Sequence, residues 1–506
     1  MSFKVKDLHR IASFNMYRTK RIELCRMSFV KDFVKAKEKG RADLYPLIDS
    51  VGEGRERVSD GYYSFQGTSR ESSAYRVRLF GGLFPYASYE MRISTTSPCG
   101  FRFTLPSGSC DVLTYTDEFG DVYVKFSSPE GEEARRVDRR FCGGGLFTVI
   151  LRPGRFDVFL GESDRCSHVC TFQSKSFDHS HKEESFRRGS VAVYLSAGST
   201  VTDVSGYIDC GMSQADMRPV KYEDGSVMEE GGRVFLTMTA RGQVEMYQIV
   251  IAWKPGTSEI EMTGAYFFDV GDGYWCSDVA SSLIYDRRKG SWYLWYCSFS
   301  HDHVLAHAEF KHDIRYGVNV VDTILMEKLP PELVGTEEGD RLFFGKSGDE
   351  DPDLIYSEKD GKWYMSICRV ESLGKGEDGR ERTAYRYHLF SSDHPFEGYT
   401  FLTKGTEGSE TGGSLIPMGD DIYFLCGSDF DRNSVYHLYE LPTFGAPEII
   451  SHDYPDGGFR GWGTIITVCR GTRRLFYHFT FDRHNCSSYN WSYGNIHIFE
   501  GTPEKL

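Results

Sequence analysis

The amino-acid sequence predicts an all-β protein: an antiparallel β-sandwich of the jelly-roll or concanavalin-like kind, followed by a five-bladed β-propeller. Three observations carry this. A unit of apolar strand, polar turn and aromatic strand recurs five times in residues 206–506, and four of the copies have an acidic head. Its acidic heads lie about 60–75 residues apart, the spacing expected for four-stranded blades. Upstream, residues 55–205 break into short alternating runs separated by glycines and polar clusters, the pattern of a sandwich.

Residues 1–54 read differently. They are basic and poor in turn signals, and Ile22, Leu24, Phe29, Phe33 and Val34 fall at roughly helical spacing. This predicts a helical or irregular extension packed on the body, since charge blocks are usually solvated faces. In the sandwich region the strand-like runs are 74–82, 89–94, 100–105, 121–126, 146–152, 155–161 and 191–196. Within it, Cys166, His168 and Cys170, followed by Asp178, His179 and His181, have metal-ligand residue types. Without a second paired set they read as a polar loop more readily than as a zinc site.

The repeat is clearest at residues 348–370, GDEDPDLIYSEKDGKWYMSICRV, where Asp360-Gly361 marks a hairpin between two apolar runs. Residues 278–299, DVASSLIYDRRKGSWYLWYCSF, repeat it, as do 215–241, 409–429 and 460–483. The heads are Asp216, Asp278, Asp351 and Glu410, and the fifth copy has none. Residues 493–499 are expected to supply the strand that closes the ring.

Composition excludes several functions. A net charge of −14 disfavours nucleic acid or an anionic membrane as the main partner. No apolar run is long enough to span a bilayer, and no signal peptide is visible, so a cytoplasmic location is expected, with secretion after removal of a leader as the alternative. The 13 cysteines are read as reduced, with Cys297, Cys368, Cys426 and Cys469 buried in strands.

In a propeller the innermost strands begin near the axis, so acidic heads converge there. Converging carboxylates split their pKa values, which allows one to act as base and another as acid, the requirement of glycoside hydrolysis. The pattern resembles the five-bladed propeller glycoside hydrolases, especially family 43, which trims arabinan and xylan, and its fructan-cleaving relatives. The resemblance covers about 300 residues. It rests on Ala215-Asp216 in the first blade, Trp275-Cys276-Ser277-Asp278 in the second, Asp351-Pro352 in the third and Glu410-Thr411-Gly412-Gly413 in the fourth. The family's Pro after the blade-four Gly is missing, and its Gly-His step in blade five is Gly461-Trp462-Gly463 here. The resemblance implies that Asp216 is the general base, Glu410 the general acid and Asp351 the residue that tunes and orients that acid. Inversion is implied for family 43, whereas its fructan-cleaving relatives use the first Asp as nucleophile and retain, and the separation of the carboxylates distinguishes the two. A carbohydrate substrate is expected, a furanoside such as an arabinofuranoside in a polysaccharide or oligosaccharide. Trp275 and Trp462 are assigned to stacking on sugar, and Asp278 and Arg369 to substrate contact. No organic cofactor and no catalytic metal are expected, with a structural cation on the propeller axis as an option. The rivals are a glycoside phosphorylase on the same scaffold, using phosphate in place of water, and a non-catalytic glycan-binding propeller.

Overall fold

The computed structural model of the protein describes residues 3–27, 48–51, 54–59, 62–67, 74–78, 83–93, 96–138, 145–162, 165–196, 199–242, 246–376, 378–405, 409–419, 421–428, 435–452, 463–470, 473–482 and 495–505. Within these the chain is almost wholly β, in seven sheets with a few short helical turns. It divides into two compact units: Arg21–Asp209 with Gly273–Trp275, and Met1–Lys20 with Cys210–Asp272 and Cys276–Leu506.

The first-named unit holds a seven-stranded and an eight-stranded sheet. Their strands include Ser88–Ile93, Cys99–Leu105, Val122–Ser128, Gly145–Arg152, Arg155–Glu162 and Ser190–Leu195, matching the alternating runs of the sequence. The two sheets meet through aromatic rings. Phe101 stacks on Phe147, Phe103 packs against Phe156, and Phe126 stacks on Phe172, with centroids 5.0–6.1 Å apart. Large flat side chains at alternate positions of each strand give both sheets one apolar face to bury.

The other unit consists of five sheets, each built on an antiparallel meander; Gly317–Asp322 and Lys221–Tyr222 add in parallel to the first and second, and Phe3–Phe14 adds antiparallel to the fifth. Their leading strands are Ser213–Pro219, Val279–Asp286, Glu350–Ser357, Glu410–Met418 and Thr464–Arg470. Each leading strand touches the next in sequence, and the fifth touches the first, so the five form a closed circuit. These strands are buried along most of their length, because each is covered by its neighbours on both faces.

Three expectations need correction. The N-terminal stretch is not helical where it is described. Residues Phe3–Phe14 form a strand paired with Ile496–Lys505, and Arg21–Met27 form a strand paired with Thr200–Asp209. The apolar residues that suggested a helix fall partly on this second strand, and the remainder of the pattern lies outside the described residues. Isolated helical spacing in a short run cannot outweigh the unpaired sheet edges waiting for a partner. The tail does supply a strand to the last sheet, but it is the third in order, and Phe3–Phe14 is the outer one. Cys469 is exposed rather than buried, at the outward end of its strand.

Three sheets are tied together by one buried ion pair. Lys221 Nζ donates to both carboxylate oxygens of Asp353 at 2.8 Å. Asp353 also accepts from Ser282 Oγ at 2.5 Å and from the Leu415 amide at 2.6 Å, so it binds the second, third and fourth leading strands. Burial alone would raise this carboxyl, but Lys221 and Arg218 outweigh it and hold it below the ordinary range. Removing one member of such a pair strands the other charge. Lys221→Met should therefore cost about 3–5 kcal/mol in denaturant unfolding. Adding Asp353→Asn to Lys221→Met removes the stranded charge, keeps an oxygen to accept from the Leu415 amide and turns the new NH2 toward Ser282 Oγ, which can accept from it, so the pair should recover a large part of that loss.

Candidate active site

Four of the five leading strands carry the same irregularity. The pairing register slips between Ala215 and Arg218, Val279 and Ser282, Glu350 and Asp353, and Thr411 and Ser414. Each slip is a β-bulge, and its second residue has positive φ: Asp216 (52°), Ala280 (53°), Asp351 (52°) and Gly412 (69°). Asp is among the few side chains that tolerate this conformation, and Gly adopts it without strain. The bulge re-aims the side chain at its apex, so Asp216 and Asp351 emerge from the first and third sheets toward the same space.

That space is a cavity of about 270 Å³. Asp216, Asp351, Glu350, Arg241, Tyr385 and Thr411 give it a polar wall, and Met246, Val279, Cys297 and Phe299 an apolar one. Arg241 faces Asp216 at 3.4 Å. Asp351 accepts hydrogen bonds from the Gly412 amide (2.8 Å) and Tyr387 Oη (3.1 Å), and lies 3.4 Å from Arg218. Tyr387 Oη in turn accepts from the Gly413 amide at 2.5 Å. Gly413 is required there, since a Cβ would meet the Tyr387 ring at 2.6 Å. Burial is the main influence on Asp351, and with the neighbouring Asp216 and Glu350 it overrides Arg218 and pushes the carboxyl up to about 7. Glu350 stands 3.0 Å from His303 Nε2, whose ring lies 4.0 Å from that of Phe299.

The structure thus brings together two of the three residues expected to be catalytic. Glu410 does not line the cavity. It is 1% exposed, and its Oε1 contacts His437 Nδ1 at 2.5 Å and accepts from Tyr439 Oη at 2.6 Å. The bulge explains the difference: the residue of the fourth sheet that matches Asp216 and Asp351 is Gly412, two positions on. Asp278 likewise precedes its bulge by two residues and is turned into a hydrogen-bond network with Ser298 and Ser300. Arg369 is fully buried. It donates to the carbonyls of Asp340, Leu342 and Phe344 and pairs with Asp349, so it anchors a loop rather than a substrate. Trp275 is buried against Phe84 and Phe186 in the two-sheet unit. Trp462 lies outside the described residues. Among the described residues, Cys166, His168 and Cys170 do not gather three ligand atoms; His168 is bonded to Thr171 and packs on Phe159.

Glu350, Arg241, Tyr385, Phe299 and Cys297 are the cavity residues that sequence reasoning passed over. Glu350 was visible as part of the acidic run at 349–353, but nothing in that run distinguishes a cavity carboxylate from a solvated one. Arg241 could have been found as the far end of the strand that pairs with the Asp216 strand.

No protein-family model matches the chain, and no curated protein does. Among solved structures it is similar to levansucrase of Bacillus subtilis, at 11% identity over 58% of this chain and 86% of the other, with a TM-score of 0.38. A thermostable family-43 glycoside hydrolase matches at 12% over 56% and 92%, with a TM-score of 0.34. An endo-1,4-beta-xylanase of Bacteroides thetaiotaomicron matches at 13% over 58% and 97%, with a TM-score of 0.35. Likeness at this level carries no functional weight, and the chemistry rests on the side chains themselves.

The raised Asp351 has a consequence for stability. An unfolded Asp loses its proton near pH 4, at about 3.9, whereas the native carboxyl keeps it to about 7. Between those values the native state binds the extra proton, so this group's contribution to stability falls as pH rises through the window and is lowest above it. Asp351→Asn, which retains the acceptor for Gly412 and Tyr387, should gain on the wild type over the same window. Unfolding at pH 5 and pH 8 measures it, and an unchanged difference between the two proteins would show that Asp351 is not raised.

Proposed function

We propose that this protein is a glycoside hydrolase whose chemistry is carried by Asp216 and Asp351. We also read its five-sheet unit as a five-bladed propeller and its two-sheet unit as a β-sandwich. The observation that carries the functional reading is the matched pair of bulges. Two sheets present an aspartate at the same backbone position, in the same rare conformation, toward one cavity. One of the two is raised into the range where a carboxylic acid still holds its proton at neutral pH.

Asp216, beside the Arg241 guanidinium, acts as the base. It takes a proton from water as the water oxygen bonds to the anomeric carbon. Asp351 gives its proton to the leaving glycosidic oxygen as that carbon–oxygen bond breaks. Tyr387 and the Gly412 amide fix the direction of the Asp351 carboxyl. Glu410 then serves behind the cavity, holding His437 and Tyr439. The substrate is a carbohydrate, and the resemblance to family 43 favours a furanoside such as an arabinofuranoside, cleaved with inversion. The guanidinium of Arg218 and the ammonium of Lys221 supply positive charge among the leading strands, the role a structural cation would otherwise fill. Arg241 supports a second reading, because a guanidinium on the cavity wall suits phosphate as the attacking group.

Product analysis over a panel of furanoside- and pyranoside-containing oligosaccharides, with and without phosphate, tests this. Release by the wild type should fall by about 10²–10⁴-fold in Asp216→Asn and in Asp351→Asn, while Glu410→Gln keeps most of its rate. Full activity in Asp351→Asn together with loss in Glu410→Gln would return the acid role to Glu410. Turnover that requires phosphate would select the phosphorylase.

A further inference from the structure

Cys276, Asp278 and His301 form a cluster that the proposed reaction does not use. Their ligand atoms lie within 4.8 Å of one another. Cys276 is 5% exposed and Asp278 1%, while His301 reaches partly to solvent. The backbone at Cys276 is fixed by two hydrogen bonds to Phe268, at 2.7 and 3.0 Å.

Asp278 differs from the neighbouring buried aspartates in its charge partners. Asp216, Asp349, Asp351 and Asp353, the other buried aspartates at or beside the starts of these leading strands, each face an Arg or Lys. Among the described residues no Lys or Arg pairs with Asp278, and its donors are Ser298 Oγ (2.7 Å), the Ser300 amide (3.0 Å) and Ser300 Oγ (2.8 Å). A buried carboxylate without a cation is costly. Ser298 Oγ also contacts His301 Nδ1 at 3.0 Å, which puts that nitrogen on the Asp278 side of the imidazole. The opposite nitrogen, Nε2, lies 3.2 Å from Asp272 Oδ2. A carboxylate behind the far nitrogen of a histidine is the arrangement that orients a metal-binding imidazole.

We propose that Cys276 Sγ, an Asp278 carboxylate oxygen and His301 Nδ1 bind a divalent transition metal of borderline softness, with zinc as the best fit. Sulfur, imidazole and carboxylate together suit zinc, and three protein ligands leave a fourth position toward the solvent side of His301. Binding releases the thiol proton. The metal joins the segment that leads into the second sheet to the turn at 298–303. That turn carries Phe299 on the cavity wall and His303 against Glu350, so the ion holds one wall of the cavity in place.

The test uses the full chain with the exposed Cys469 replaced by Ser, so that this thiol does not bind metal adventitiously. Titration with Co²⁺ should give one equivalent of a sulfur-to-cobalt charge-transfer band, and added Zn²⁺ should displace it and raise Tm. Cys276→Ser should abolish the band, and His301→Ala should weaken Zn²⁺ binding about a hundredfold. Asp272→Asn should weaken it about tenfold, as loss of an orienting carboxylate does. Circular dichroism establishes that each variant is folded. Absence of the band in the folded parent, or a Zn²⁺-induced rise in Tm that persists in Cys276→Ser, would overturn the proposal.

Discussion

The guanidinium of Arg218 holds the five-sheet unit together at its centre. It is 3% exposed and donates to the carbonyls of Gly413 (2.9 and 3.1 Å), Ala280 (3.1 Å) and Pro352 (3.0 Å). Each of those carbonyls belongs to a bulge, in the fourth, second and third leading strands. A bulge leaves backbone groups without their ladder partners, and an unpartnered buried carbonyl is expensive. One planar group with five donors satisfies three bulges together, which the single point charge of lysine could not do. The bulge that aims Asp351, and the two matching bulges at Ala280 and Gly412, are therefore tolerated because Arg218 is there.

The same guanidinium faces Asp351, so cohesion and acidity are linked. Arg218 pulls the carboxyl down, while burial and the two neighbouring carboxylates push it up, and burial wins. A fully exposed Asp351 would be ionised throughout the neutral range, and an Asp351 relieved of its acidic neighbours would lie lower. The strained conformation shared by Asp216 and Asp351 belongs to the same economy. Local strain of this kind persists only where surrounding contacts over-determine it, and here they come from Tyr387, the Gly412 amide and Arg241.

Much of this was legible in the sequence. Alternating apolar runs report strands directly, and the recurrence of Tyr285, Tyr356 and their following turns reports repeating sheets. Asp216 and Asp351 stood out because an aspartate opened each of two repeats. Where a position depends on register, the sequence carries no mark of it. Glu410 and Gly412 are two residues apart, and only the bulge decides which of them meets the cavity, a geometric fact with no compositional mark. Asp278 stands in the same relation to Ala280, the apex of its own bulge. Trp275 and Arg369 show a second limit: a large aromatic or an arginine near an acidic head has the right chemistry for a ligand and equally for a buried anchor. The N-terminal strand was missed because its partner lies at the other end of the chain.

That pairing gives the last sheet a distinctive place in time. Phe3–Phe14 finds Ile496–Lys505 across nearly the whole sequence, whereas the other sheets of this unit are built mostly from strands adjacent in sequence. Closing a loop of that length costs more entropy than closing a hairpin, and the cost comes before the contact repays it. Of the pairings within the fifth sheet, this outer seam therefore carries the largest loop-closure cost. An edge strand held by one partner is a natural place for a sheet to begin to open, so the fifth sheet has its weakest border where the two ends of the described chain meet.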